Sequence, residues 1–265
     1  MTIKRSVGPV LGEQISMEYL ECFERFPNAY AKIVESLNRI ETLYEFLESS
    51  DLLNGVSSLL SIGSGDGAVE ARLARKYDLA LSFVEPAEGY FEKCLAGAND
   101  KKVEVWEAHQ GSFESFTPNK KYDLVLSLYS WFAFEFNRDV LEKALSCRSS
   151  GGKLVICLQG EASPSTLISG LSQASGINLT SEKISEWADK LGYSHRVVTY
   201  HGTVPSATYL SSEGLTQTGR DLVSFLLATP WEDITEELKS RTLQILREGE
   251  QNGVIDFESP CLIFE

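Results

Sequence analysis

Ser58-Leu59-Leu60-Ser61-Ile62-Gly63-Ser64-Gly65-Asp66-Gly67-Ala68 is the stretch that decides the fold of this chain. Leu59, Leu60 and Ile62 make an apolar run of strand length, and glycines follow at alternate positions, Gly63, Gly65 and Gly67. The spacing is G-x-G-x-G, which differs from the G-x-G-x-x-G of the dinucleotide fingerprint. Glycine suits such a turn because the backbone must take angles closed to other residues, and because a ligand can lie against a main chain that carries no Cβ. A helix expected from Ala68 to about Lys76 then points its amide-rich N-terminus at that ligand. The plainer alternative is a tight strand-to-helix turn that binds nothing.

Beyond that helix, Leu79 to Pro86 reads as a second strand ending on the carboxylate of Glu85, 18 residues past Gly67. An acid at that spacing can accept both hydroxyls of a ribose. A nicotinamide or flavin dinucleotide would require the glycine turn to receive a pyrophosphate as well. S-adenosylmethionine has a ribose and no phosphate, so it needs only the close backbone approach and the acid. Gly63, Ser64, Gly65, Gly67, Glu85 and Pro86 are therefore the cofactor-binding candidates of the first crossover.

The rest of the chain alternates in the same manner. Ala87 to Ala98 is a predicted helix and Lys102 to Ala108 a half-buried strand, after which His109-Gln110-Gly111-Ser112-Phe113 sits at the strand's carboxyl end. In a doubly wound sheet that edge binds ligands, so Ser112 and Phe113 are placed to meet an adenine ring. Tyr122 to Tyr129 is nearly all apolar and reads as a strand buried on both faces. It delivers Tyr129-Ser130-Trp131-Phe132-Ala133-Phe134 to the same edge, an aromatic cluster suited to a cationic or aromatic small molecule. A helix over 138–147, a strand from Lys153 to Leu158 and a Ser/Gly-rich loop from Gln159 to Gly176 follow. Then come a helix over 180–191, a strand from His195 to His201, helices from Gly219 to Leu227 and Thr235 to Gly249, and a strand from Pro260 to Phe264. This order predicts an α/β fold built on a doubly wound, seven-stranded, mostly parallel sheet with helical insertions.

Residues 1–54 read as helical material ahead of the first strand, and 55–265 as the main domain. Tyr19, Phe23 and Phe26 share one helix face, and Ile33, Leu37, Ile40, Leu43, Tyr44 and Leu47 continue a second stripe. The aromatic stripe is either a core-facing helix or a lid that closes over substrate.

With 265 residues and 43% hydrophobic content, the chain is long enough for one large domain. Its net charge of -14 and lack of any Lys/Arg cluster argue against nucleic acid as a partner and favour a small-molecule substrate. No apolar stretch is long enough to span a bilayer, and the first residues lack the apolar core of a signal peptide, so a cytoplasmic, monomeric protein without membrane contact is expected. Cys22, Cys94, Cys147, Cys157 and Cys261 are scattered like buried free thiols, and the three histidines stand at no ligand spacing, so no metal site is expected.

On these motifs the chain resembles class I S-adenosylmethionine-dependent methyltransferases, and within them is similar to the histamine N-methyltransferase family over almost its whole length. The narrower likeness rests on Tyr19-Leu-Glu-Cys-Phe-Glu-Arg-Phe26, Leu60-Ser-Ile-Gly-Ser-Gly65, Val84-Glu-Pro86, Tyr122-Asp123, Asp221-Leu222 with Phe225-Leu226, and Leu262 to Glu265. The resemblance implies cofactor contacts at Gly63, Glu85, Tyr90, Ser112 and Leu128, with Tyr90 where the family has glutamine. It implies an aromatic substrate wall at Tyr19, Phe23, Phe26, Phe132 and Phe225, to which the aromatic cluster after the fourth strand adds Trp131 as a substrate-binding candidate. The polar recognition departs from the family: Lys32 stands where a glutamate grips the amine, Tyr129 replaces a glutamine, and the family's C-terminal asparagine has no counterpart near Phe257. The expected activity is methyl transfer to a nitrogen of an amine, imidazole or amino-acid-like molecule, with Lys32 either meeting a substrate carboxylate or lying solvated on its helix. Tyr129 and His109 are catalytic candidates by position, His109 being alternatively structural. An O-methyltransferase and a non-catalytic S-adenosylmethionine-binding protein are the rival readings.

Overall fold

A computed structural model of the chain describes residues 4–7, 35, 39–134, 137–171 and 179–265. Eleven strands and eight α-helices have defined bounds among the described residues, besides short 3-10 turns. In chain order the strands are β1 (Lys4–Val7), β2 (Ser58–Ile62), β3 (Ala80–Glu85), β4 (Val105–Gln110), β5 (Tyr122–Leu128), β6 (Arg148–Cys157), β7 (Arg196–Pro205), β8 (Leu210–Ser211), β9 (Gly214–Leu215), β10 (Glu250–Gln251) and β11 (Val254–Phe264). The helices are α1 (Arg39–Ser49), α2 (Ala68–Tyr77), α3 (Glu88–Asp100), α4 (Arg138–Ser146), α5 (Pro164–Ser169), α6 (Ser181–Lys190), α7 (Gln217–Leu226) and α8 (Glu236–Glu248).

One 9-stranded sheet carries the molecule. Its order runs β1-β4-β3-β2-β5-β6-β11, with β7 on the outer side of β11 and β10 folded back beside the start of β11. All pairings from β1 to β6 are parallel, and β11 runs antiparallel to β6 and β7. The strand order reverses between β2 and β5, the place where ligands bind in open α/β sheets. The fold is thus the mixed α/β, Rossmann-like, mostly parallel architecture expected from the alternation of elements.

Two strands exceed the expected seven. β10 is a two-residue hairpin arm. β1 lies inside the segment read as helical; Lys4-Arg-Ser-Val7 has no apolar alternation, and it joins the sheet edge by parallel main-chain pairing, Lys4 opposite Glu107 and Val7 opposite Gln110. Main-chain bonds of this sort leave no side-chain signature. Strand β4 also starts later and ends later than expected, so His109 and Gln110 lie within it.

Three apolar clusters hold the layers. Leu43 and Leu47 of α1, Leu73 of α2 and Leu95 of α3 cover one face of the sheet. Leu141 of α4, Ile184 of α6 and Phe264 of β11 cover the other. The third joins α7, α8 and the outer ends of β7 and β11 through Leu222, Leu246, Val204 and Ile255. Local caps fix where helices begin: Asn137 accepts from the Asp139 and Val140 amides, and Thr180, Thr216 and Thr235 each accept from an amide three residues on. No helix among the described residues is long and apolar enough to cross a membrane. Cys94, Cys147, Cys157 and Cys261 are free and buried, as expected.

At the amino ends of the strands, Asp123 ties β5 to its neighbours. Its carboxylate accepts from Ser57 N (3.0 Å), Ser57 Oγ (2.7 Å), Ser58 Oγ (3.0 Å) and Ser149 Oγ (2.7 Å). Burial alone would raise its pKa, but these donors outweigh burial and hold it down at about 2. The folded value lies below the ordinary one, so the stabilisation is present above about pH 4 and is lost as pH falls toward 2. Asp123→Ala should lower stability by about 2 kcal/mol, and the acid-dependent loss between pH 4 and 2 should shrink with it. Urea unfolding of both proteins across that pH range checks this.

Candidate active site

The glycine turn is built from positions where geometry excludes a side chain. Gly63, Gly65 and Gly67 all lie in the left-handed region, with φ of 67°, 56° and 67°. A Cβ on Gly63 would sit 2.4 Å from Ser130 Cβ, and one on Gly67 would sit 2.3 Å from Cys94 Sγ. A Cβ on Gly65 would meet nothing within 4 Å. The outer glycines are therefore packed against the turn after β5 and against α3, whereas the middle one faces open space.

Four of the turn's amides, those of Gly63, Ser64, Gly65 and Gly67, already have acceptors. Gly63 N and Ser64 N both donate to Val84 O (2.8 and 3.2 Å), and Gly67 N donates to Ser64 O (3.0 Å). Gly65 N donates to Glu85 Oε2 (2.8 Å), and the other carboxylate oxygen, Oε1, accepts from Ala87 N (2.9 Å). Glu85 is 6% exposed. Burial pushes its pKa up to about 7 in spite of those two amides. Each oxygen keeps a lone pair, so the group can accept hydroxyl donors once ionised. Pro86 follows it directly, and Tyr90 stands half-buried in the first turn of α3 with Lys93 Nζ 5.1 Å from its ring.

A second acid was missed at sequence level. Glu70, in the first turn of α2, is buried and accepts from Ser61 Oγ (2.8 Å); burial likewise lifts it to about 7. The signal available was a glutamate inside the run Val69-Glu70-Ala71, whose neighbours are apolar and buried. Both folded pKa values lie above the ordinary carboxyl range. Each acid therefore weakens the fold as pH rises from about 4.5 to 7.

The loop after β4 forms the next wall. Gly111 N donates to Glu85 O (3.2 Å), Ser115 N and Phe116 N donate to Ser112 O and Phe113 O (both 3.2 Å), and Ser115 Oγ donates to Ser112 O (2.8 Å). Ser112 and Phe113 are buried. Among the described residues, neither of their amide N–H groups has an acceptor. His109 is 3% exposed and pairs through Nε2 with Ser115 Oγ at 2.9 Å. Burial and then the nearby Lys143 charge lower the His109 pKa, against a hydrogen bond to the Ser112 backbone that raises it.

Strand β5 ends at Leu128, and Tyr129 turns the chain with a φ of 57°, a conformation costly for a tyrosine. Tyr129 N donates to Cys157 O (2.8 Å) and its hydroxyl donates to Ser259 Oγ (2.8 Å). Ser130 Oγ donates to Ile62 O (2.6 Å) and pairs with Ser127 Oγ (2.7 Å), locking this turn onto the glycine turn. Trp131, expected on the substrate wall, is instead fully buried in the core with its ring 5.2 Å from Phe134 in an edge contact. Phe132 remains half-buried. Phe225 belongs to the third apolar cluster with Ile168, Leu222 and Phe257, apart from the cluster that holds Trp131. Tyr19, Phe23, Phe26 and Lys32 lie outside the described residues. The flanks of that stretch are placed: Val7 pairs beside Gln110 at the carboxyl edge of β4, and Thr42 Oγ1 lies 2.5 Å from the hydroxyl of Tyr200, whose backbone pairs with Ser259. Among the described residues no group of three His, Cys, Asp or Glu could hold a metal ion.

No family model and no curated protein sequence matches the chain. Solved structures do. A protein of Bacillus halodurans described as a methyltransferase superposes with a TM-score of 0.57 at 12% identity, covering 83% of this chain and 96% of its own. S-adenosylmethionine-dependent methyltransferases of Thiobacillus denitrificans (TM-score 0.51) and Geobacter sulfurreducens (TM-score 0.50), both solved with S-adenosyl-L-homocysteine, are each 13% identical and cover 86% of this chain and 91% of theirs. The fold is that of class I S-adenosylmethionine-dependent methyltransferases.

The two kinds of glycine should separate experimentally. Gly65→Ala adds a left-handed alanine in open space and should cost about 1 kcal/mol of stability. Gly63→Ala adds the same strain plus a clash with Ser130, and should cost at least about 2 kcal/mol more. Thermal and urea unfolding of the two variants measures the difference.

Proposed function

We propose that this chain is an S-adenosylmethionine-dependent methyltransferase that methylates a nitrogen of a small molecule. The observation that carries the cofactor reading is the state of the turn's amides. A dinucleotide pyrophosphate would need several of them as donors, yet those of Gly63, Ser64, Gly65 and Gly67 already donate to Val84 O, Ser64 O and the Glu85 carboxylate. Two buried acids, Glu70 and Glu85, would also repel a phosphate. A nucleoside without phosphate fits the same features: open space at Gly65, an acid for ribose hydroxyls at Glu85, and amides at Ser112 and Phe113 that have no acceptor among the described residues and can meet the base.

When bound, this cofactor supplies a methyl group on a positively charged sulfur, open to in-line attack by a lone pair. The chain's own share is alignment and exclusion of water. Gly63 to Gly67 with Leu128 bound the cofactor, and Tyr129 and Phe132 stand at the edge where an acceptor would enter. Tyr129 donates its hydroxyl proton to Ser259, and His109 is buried and paired with Ser115 inside its own loop, so neither is set to take a proton from a phenol. That favours an acceptor nitrogen whose lone pair is free at neutral pH, such as an imidazole, over an O-methyl acceptor that needs a base. We assign His109 to loop architecture and Tyr129 to shaping the acceptor side.

The likeness to histamine N-methyltransferases enters this reading as a relative with a changed pocket. Residues 1–54 would supply the aromatic lid through Tyr19, Phe23 and Phe26. Lys32, where that family has a glutamate, would reverse the preferred charge, since like charges in a partly dry pocket repel by a few kcal/mol at an effective dielectric of about 20. A carboxylate-bearing acceptor fits better than histamine itself.

Methyl transfer from labelled cofactor across amines, imidazoles, amino acids and phenols tests the acceptor class: N-methyl products are expected, and products limited to phenol ethers would overturn the nitrogen assignment. Glu85 gives a second test. Binding that requires its ionised form should weaken about tenfold from pH 8 to pH 6, because the carboxyl titrates near 7 and must lose its proton. Glu85→Gln should weaken S-adenosylhomocysteine binding by about 1–3 kcal/mol and flatten that pH dependence; Glu70, which titrates in the same range, stays intact in this variant as a control. Calorimetric titration at the two pH values checks both effects.

A further inference from the structure

We propose that Lys143 is a positioning residue for the cofactor base, an inference that rests on the S-adenosylmethionine reading and names what holds its base-binding turn in place. Lys143 projects from α4. Its ammonium donates to Phe113 O (2.8 Å) and Glu114 O (2.9 Å) and stands 5.1 Å from the centre of the Phe113 ring. Residues 112–116 form one tight turn, closed by Ser115 N and Phe116 N on Ser112 O and Phe113 O. A turn of this kind has an amide end and a carbonyl end. The amide end, Ser112 and Phe113, is the one without acceptors among the described residues. The carbonyl end is the one that Lys143 grips.

Lysine suits this place because an ammonium offers three donors and no acceptor, so it can serve two carbonyls at once. An apolar side chain would leave the part-buried Phe113 carbonyl without that partner. The grip is also rigid at its root. Helix α4 is capped by Asn137 and buries Val140, Leu141 and Ala144 in the core, so the lysine stem reaches out from a fixed element. At its other end the turn is tethered by Gly111 N to Glu85 O, the main chain of the residue assigned to the ribose. One loop is thus held at two points, and the amides between them are set relative to Glu85.

Adenine and hypoxanthine discriminate this role from general support of the fold. Adenine N1 accepts a hydrogen bond from a fixed amide, whereas hypoxanthine carries a hydrogen there. Wild-type protein, Lys143→Met and Lys143→Arg are titrated with S-adenosylhomocysteine and with S-inosylhomocysteine, and the melting temperature of each free protein is recorded. Lys143→Met should bind S-adenosylhomocysteine about tenfold more weakly while S-inosylhomocysteine changes by about twofold or less, so the preference for adenine collapses. Lys143→Arg, which keeps charge and donors, should recover binding to within about threefold. Unchanged affinity in Lys143→Met, or an equal loss for both ligands, overturns the proposal while leaving the cofactor reading intact. Wild-type protein that binds neither ligand overturns the cofactor reading and this inference with it. If Lys143→Met does not fold, Lys143→Leu, which likewise lacks a donor, takes its place: a selective loss of adenine binding supports the role, and an equal or absent loss overturns it.

Discussion

Internal pairing of four amides in the first crossover is the constraint on which the rest depends. Four N–H groups between Ile62 and Ala68 donate to Val84 O, Ser64 O and the Glu85 carboxylate, so strand β3 is the partner of the turn as well as of strand β2. Satisfying those groups internally fixes the turn without a ligand. It also withdraws them from any phosphate. The Glu85 carboxylate is pinned by the amides of Gly65 and Ala87, and its burial there brings its pKa near neutrality.

From this constraint the neighbouring parts follow by contact. Gly63 leaves the room that Ser130 fills, and Ser130 Oγ then bonds Ile62 O, so the turn after β5 cannot move independently of the glycine turn. Gly67 leaves the room that Cys94 fills, docking α3. Tyr129 takes a strained backbone angle in the course of this, and its hydroxyl reaches β11 at Ser259. The glycine turn and the turn after β5 are therefore one interlocked piece of backbone. Strand β1 and helix α1 bring the two flanks of residues 8–38 to that same edge, beside Gln110 and Tyr200.

Much of this was legible in the sequence, and for identifiable reasons. Apolar runs such as Leu59-Leu60 and Leu124 to Leu128 announced buried parallel strands, and alternate glycines followed by Glu85 located the crossover. What stayed hidden depends on partners far along the chain. Lys143 is an ordinary lysine on an amphipathic helix until the fold brings it to Phe113 O. Glu70 reads as a helix-start acid until Ser61 is found beneath it. Trp131 belongs by sequence to an aromatic cluster, but packing turns it inward while leaving Phe132 half-buried. β1 escaped because an edge strand is held by main-chain pairing that composition does not encode.

The most direct measurement is calorimetric titration of the whole chain, side by side, with S-adenosylhomocysteine and with NAD. Saturable one-to-one binding of the phosphate-free nucleoside is expected, with no detectable heat from the dinucleotide. Binding of NAD, or silence toward S-adenosylhomocysteine at both pH 6 and pH 8, would contradict a turn whose amides are already spoken for.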